Sequence, residues 1–286
     1  MAKVVELTSY PVKGCAGLSV HEAFMTPAGL PHDRSFMIVD EHGVFRSQRR
    51  DPRLALIRPN IAADGTRLTL EAPGSGTVTV PVDSSSERRP VELFGAPFTG
   101  IDQGDEAAAW LSAVTGGPSR LVRVPPEHDR ITDGLVAGTS GYADSCAVHV
   151  VSRSSMAALN ERLVSDGTEP LPISRFRPNI VVDGWDDPHT EDLARHITVG
   201  SAELAYAKLA IRCAVTLVDQ RSGRRSGREP IRTLATYRRA AEGGVAFGVK
   251  LAVVRPGRLS VGDDVTVSSW GVSELRADSG GHQAAR

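Results

Sequence analysis

Leu209-Ala-Ile-Arg-Cys-Ala-Val-Thr-Leu-Val-Asp219 sets a thiol directly after an arginine inside an apolar, strand-like run. A turn, Arg221-Ser-Gly-Arg224, and an arginine-rich stretch follow it. A guanidinium beside a thiol favours the thiolate, the form that ligates metal or attacks an electrophile. A single strand cysteine equally reads as a small buried hydrophobe. Cys213 therefore carries two readings.

Outward from this run, Ala147–Val151, Asn179–Asp183, Ala202–Tyr206, Ala246–Val254 and Asp264–Ser268 read as further strands. Residues 1–95 are dense in short β-type runs, namely Val4–Tyr10, Ser35–Asp40, Arg53–Ile57, Arg67–Glu71, Thr77–Val82 and Val91–Phe94. Strands at this spacing suggest a small barrel or sandwich. The polar stretch Asp83–Pro90 reads as a loop. One helix is expected where Ala107, Trp110, Leu111 and Val114 share a face ended by Gly116-Gly-Pro118. A second runs from Ser152, its cap, to Val164, with Met156, Leu159 and Leu163 on one side. The fold class is mainly β with a few helices, α+β.

The 286 residues allow one large domain or two modest ones. Lys and Arg number 33 against 34 Asp and Glu, so no global field favours nucleic acid or an anionic membrane. Any anion site must be local. With no signal-like core after Met1 and no apolar run of spanning length, the chain reads as cytoplasmic. Cys15, Cys146 and Cys213 are too few and too dispersed for a disulfide framework or a zinc knuckle. The acidic run Asp186-Asp-Pro-His-Thr-Glu-Asp192 reads as a solvated loop.

Four short runs place basic or amide groups beside strand ends. Tyr10-Pro-Val-Lys13-Gly14 puts a lysine on a glycine-rich turn, where backbone N–H groups and a cation can hold a phosphate. Asp33-Arg34 precedes one strand, and Arg177-Pro-Asn179 precedes another. An arginine fork suits phosphate, and an asparagine amide can pair with a heterocycle's edge. Tyr142-Ala-Asp144-Ser145-Cys146 leads into a fourth strand. An ordinary turn or a surface ion pair accounts for any one of these taken alone.

Together the runs resemble the MOSC superfamily, the molybdenum cofactor sulfurase C-terminal domain, preceded by its N-terminal β-barrel. Tyr10-Pro-Val-Lys13, Asp33-Arg34-Ser-Phe-Met-Ile-Val-Asp40 and Arg49-Arg-Asp-Pro-Arg-Leu54 are similar to the N-terminal module. Phe176-Arg-Pro-Asn179, Arg212-Cys213 and Leu234-Ala-Thr-Tyr237-Arg238 are similar to the MOSC core, and Arg255-Pro-Gly-Arg-Leu-Ser-Val-Gly-Asp263 to its closing strands. The resemblance implies a small β-barrel domain over 1–100 and a β-barrel-like MOSC domain over 101–273; from Glu274 to Arg286 the chain lacks apolar residues to anchor it and reads as a disordered tail.

It further implies a molybdenum ion chelated by a pyranopterin, with Cys213 as its protein ligand. Cofactor contacts carry over to Lys13, Gly14, Arg34, Asp144, Ser145, Arg177, Asn179 and Arg212, and catalytic roles to Cys213 and Asp144. Gly14 stands where the family often has serine, which would leave a backbone contact there. The implied activity is reduction of N-hydroxylated compounds (hydroxylamines, amidoximes, N-hydroxylated bases). No cysteine follows Cys213, so the electrons are expected from a separate ferredoxin, b-type cytochrome or flavin reductase. A sulfur carrier using a Cys213 persulfide, or a protein that stores or delivers the cofactor, are the alternatives.

Overall fold

The structure is a computed structural model, and it describes residues 1–275. An eight-stranded sheet forms its larger part. Across it run Val265–Trp270, Ala194–Val199, Ala202–Arg212, Val245–Arg255, Val148–Ser152, Ile180–Asp183, Lys3–Ser9 and Leu18–Val20. Val148–Ser152 and Ile180–Asp183 are parallel, and helix Arg153–Ser165 lies between them in the chain. That helix starts where Ser152 accepts a hydrogen bond from the Ser155 N–H, the cap its sequence announces. Its Met156, Leu159 and Leu163 bury against Phe176, Leu234 and Phe247. Full burial of a side chain such as Leu159 contributes about 1.5–3 kcal/mol.

A five-stranded sheet, ordered Val12–Lys13, Phe36–Val39, Arg120–Arg123, Ala96–Asp102, Arg88–Leu93, faces a three-stranded sheet of Arg58–Ile61, Arg67–Ala72 and Gly76–Pro81. Phe36, Ile38 and Leu121 share one core with Leu68, Leu70, Val78 and Val80, while Met37, Val39 and Val122 pack on the opposite face. Phe36–Val39 is covered on both sides, so it reads as a continuous apolar run rather than an alternating one. Mainly β structure with few helices is what the sequence led us to expect. Among the described residues the α-helices are Asp105–Thr115, Arg153–Ser165 and Ile231–Tyr237.

Helix Asp105–Thr115 and strand Arg120–Arg123 pack with the first part of the chain, while the first strand, Lys3–Ser9, pairs with Ile180–Asp183 in the large sheet. Several expectations are corrected. Arg53–Ile57 is not a strand: Arg53–Leu56 lies in the 3-10 turn Pro52–Leu56 and Ile57 caps it, because Asp51 caps the Arg53 N–H and Pro52 fits a first helical position. Arg88–Pro90, taken as loop, belongs to strand Arg88–Leu93. In the acidic run, Glu191 and Asp192 are buried: Glu191 accepts hydrogen bonds from Ser152 and Ser155, and Asp192 pairs with Arg238 at 2.7 Å. Glu274 accepts a hydrogen bond from the Tyr206 hydroxyl and Leu275 bridges to Ala240; the rest of the expected tail lies outside the described residues.

Candidate cofactor site

Ala202–Arg212 runs as one strand of 11 residues and stops at Cys213. The expected strand Leu209–Asp219 is thus broken. Cys213 is extended (φ −124°, ψ −178°) and its carbonyl accepts hydrogen bonds from the N–H and hydroxyl of Thr216, starting the 3-10 turn Ala214–Leu217. The break takes the half-buried thiol out of the sheet and into a cavity of about 260 Å³.

Beneath the break, strand Val245–Arg255 carries an extra residue opposite Leu209–Ile211. Gly248 takes φ +72° there, and a Cβ would fall 2.4 Å from the Val150 carbonyl oxygen, so only glycine fits. Phe247 stacks on Phe176 at 4.0 Å, and the Phe176 carbonyl accepts a hydrogen bond from Arg212 Nη2 at 2.9 Å. The Arg212 Nε is buried and has no hydrogen-bond partner among the described residues.

Arg34 and Arg177 flank the Tyr10 ring, their guanidinium carbons 4.4 and 4.2 Å from its centre. Both are held in left-handed backbone, φ 49° and 54°. That conformation is uncommon for arginine and costs about 1–3 kcal/mol unless the surroundings impose it. Lys13 is buried, sits 5.0 Å from the centres of Phe45 and Phe94, and pairs with Asp144. Burial lowers the Lys13 pKa against the opposing pull of Asp144. Desolvation beside the cavity would raise Asp144, but its side chain is 62% exposed and Lys13 more than offsets that effect, holding the carboxyl below its usual range, so Asp144 stays ionised.

Lys13, Gly14, Arg34, Asp144, Ser145, Arg177, Arg212 and Cys213 all line this cavity. Asn179 does not. Its amide is fully engaged: Oδ1 accepts from Arg34 Nη1 and the His149 N–H, and Nδ2 donates to the Thr8 carbonyl and Asp33. Asn179 therefore orients Arg34 instead of presenting an edge to a ligand. Gly14 (φ +81°) lines the wall with its backbone, its carbonyl accepting from Gln48 Nε2 at 2.7 Å.

Sequence reasoning missed Lys250, Lys208, Arg49 and His149, which also line the cavity. Burial, reinforced by Arg34 and Arg212, pushes Lys250 down to about 7. His149 is held well below the usual imidazole range by burial and by Arg212 and Lys250. Lys250 and His149 both lie within apolar strand runs, and only the register shared by Val148–Ser152, Val245–Arg255 and Ala202–Arg212 brings them together. Alternation along those strands was the one signal that could have flagged them.

Residues 1–118 match the family described as MOSC N-terminal beta barrel domain, and residues 137–266 match the MOSC domain. The chain belongs to the MOSC family. It is 34% identical over 274 residues to the molybdenum cofactor sulfurase of Danio rerio, covering 87% of this chain but only 32% of that protein. It is 33% identical over 278 residues to mitochondrial amidoxime reducing component 2 of Rattus norvegicus, covering 90% of this chain and 80% of that protein. With mitochondrial amidoxime-reducing component 1 of Homo sapiens it shares 30% identity over 282 residues, 92% of this chain and 82% of that one. In this MOSC chain, no helix among the described residues is long and apolar enough to cross a membrane.

Proposed function

We propose that this MOSC chain holds a molybdenum ion chelated by a pyranopterin and reduces N-hydroxylated compounds with electrons from a separate protein. One observation carries the reading: seven Lys and Arg residues line the cavity against two carboxylates, Asp144 and Glu242, in a chain whose net charge is −1. Burial, with the cations Arg34 and Arg212 adding to it, pushes Lys250 toward neutrality, and a bound anion would restore its charge. Arg212 Nε adds a buried donor with no partner among the described residues. A phosphate-bearing cofactor fits both features. Among the described residues no three of His, Cys, Asp and Glu converge as a metal cage. A metal here would take its remaining donors from a chelating ligand, with the Cys213 sulfur as the soft protein donor.

When bound, the cofactor supplies two-electron chemistry, converting R–NHOH with two electrons and two protons into R–NH2 and water. Arg34, Arg177 and Arg212 would hold the phosphate. Asp144, ionised beside Lys13, fixes that cation in place and serves as a counter-charge rather than a proton donor. Phe94 and Ile211, half-exposed on the cavity wall, offer apolar surface to a substrate.

Metal and pterin analysis of the chain expressed in a cofactor-competent host tests this, followed by turnover of an N-hydroxylated substrate with a reduced viologen. Stoichiometric molybdenum and pterin with turnover is the expected result. Molybdenum without turnover on any donor would leave the storage role. Metal-free protein carrying sulfane sulfur on Cys213 would replace the reading with the sulfur carrier.

A further inference from the structure

A second cavity, of about 400 Å³, is lined by Asp33, whereas the neighbouring Arg34 lines the first. Its walls come from three separate segments, residues 26–35, 123–128 and 139–141. Arg123, the last residue of its strand, is the anomaly there. It is half-buried; its Nη1 donates to the Val124 carbonyl at 2.9 Å, and its Nε is buried with no partner among the described residues. Nor does any carboxylate of the described residues form an ion pair with it.

Asp33 is the one acid on the wall, and both its oxygens are engaged elsewhere. Oδ1 accepts from the Tyr10 N–H at 2.7 Å and from Asn179 Nδ2 at 2.9 Å, and Oδ2 accepts from Arg34. Two imidazoles share the cavity with Arg123. His32 is held in left-handed backbone at φ 59°, and His128 places Nε2 3.2 Å from the Ser140 carbonyl. Burial lowers both, with Arg123 adding to the effect on His32 and Arg130 to that on His128. A partly buried cation without a counter-charge is costly, and an anion from outside removes the cost. Leu30, Pro27 and Pro125 give the wall apolar surface, beside the hydroxyls of Thr26, Ser35, Thr139 and Ser140.

We propose that this cavity binds a small organic anion, its phosphate or carboxylate headgroup held by Arg123 with His32 and His128 and its body against Leu30 and Pro125. The site is separate from the proposed cofactor site and stands whether or not that reading does.

Phenyl phosphate, benzoate and inorganic phosphate are titrated into the full chain while the ring resonances of His32, His128 and His149 are followed. Phenyl phosphate or benzoate should saturate shifts at His32 and His128 and leave His149, in the first cavity, in place. Which of the two binds more tightly identifies the headgroup. Inorganic phosphate, lacking the apolar body, should bind about tenfold more weakly. Arg123→Gln should weaken the organic anion by roughly tenfold or more. His128→Gln, which keeps a donor for Ser140, should weaken it severalfold should Arg123→Gln fail to fold. Shifts confined to His149, equal affinity for inorganic phosphate, undiminished binding in both variants, or no saturation by about 20 mM would each overturn the proposal.

Discussion

Arg34 and Asn179, 145 residues apart in the chain, meet through a 3.0 Å hydrogen bond from the guanidinium to the amide oxygen. The same amide ties Asp33 and Thr8 to the strand that carries His149. An asparagine is needed because two donors and two acceptors converge on one buried point. Asn179→Leu removes one bond from each of the four; Asp33 keeps the Tyr10 N–H and Arg34 keeps Asp33, while the other two lose this partner inside the buried core. Each unsatisfied buried group costs about 1–3 kcal/mol, and the four losses are not additive, so a total of about 3–5 kcal/mol is expected. Thermal melts should fall by about 10 °C. A melt within about 2 °C of the parent would remove Asn179 from this role.

Lys250 makes the stability of cofactor-free protein depend on pH. The folded protein holds this lysine near 7, while the unfolded chain keeps it near 10.5. Between those values the unfolded state binds the extra proton, so this group's penalty is complete below pH 7 and fades as pH rises to 10.5. Lys250→Met should therefore raise the melting temperature most below pH 7, with the gain shrinking toward pH 10. A gain that grows with pH would contradict the assignment.

The three thiols should differ sharply in reactivity. Cys15 is fully buried and its thiol is pushed up to about 12 by burial despite nearby Arg177. Cys146 is also fully buried and bonds to the Asp133 carbonyl, while Cys213 alone is partly exposed. Iodoacetamide on native protein at pH 8, read by peptide mass, should modify Cys213 first and by a wide margin. Comparable labelling of Cys146 would mean that the first cavity opens to its second thiol.

Cys213→Ser should abolish molybdenum retention and N-reduction while leaving the melt unchanged, since serine is a harder donor of nearly the same size. Because the thiol sits past the strand end, its loss removes no ladder bond. Full metal occupancy in the variant would refute its role as ligand.

Arg34, Arg177 and Lys13 could be read from the chain because each stands beside a turn or proline next to an apolar run, where a side chain is displayed at a sheet's end. Helix Arg153–Ser165 could be read from its cap and stripe. The sequence misled where tertiary contacts override local pattern. Glu191 and Asp192 look solvated until Ser152, Ser155 and Arg238 are folded against them. Lys250 looks like one polar residue in an apolar strand until it is placed opposite Lys208. The break at Cys213 was hidden for the same reason, since Ala214–Leu217 is as apolar as the strand before it.

The first strand, Lys3–Ser9, finds its partner at Ile180–Asp183, and the cavity wall is not complete until Lys250 joins Lys13. On the ribosome, then, the opening strand has only Leu18–Val20 beside it until Ile180–Asp183 emerges. Pairings this distant in sequence also slow folding. On the proposed reading, the cofactor can be loaded only once Lys250 stands in the wall with Lys13.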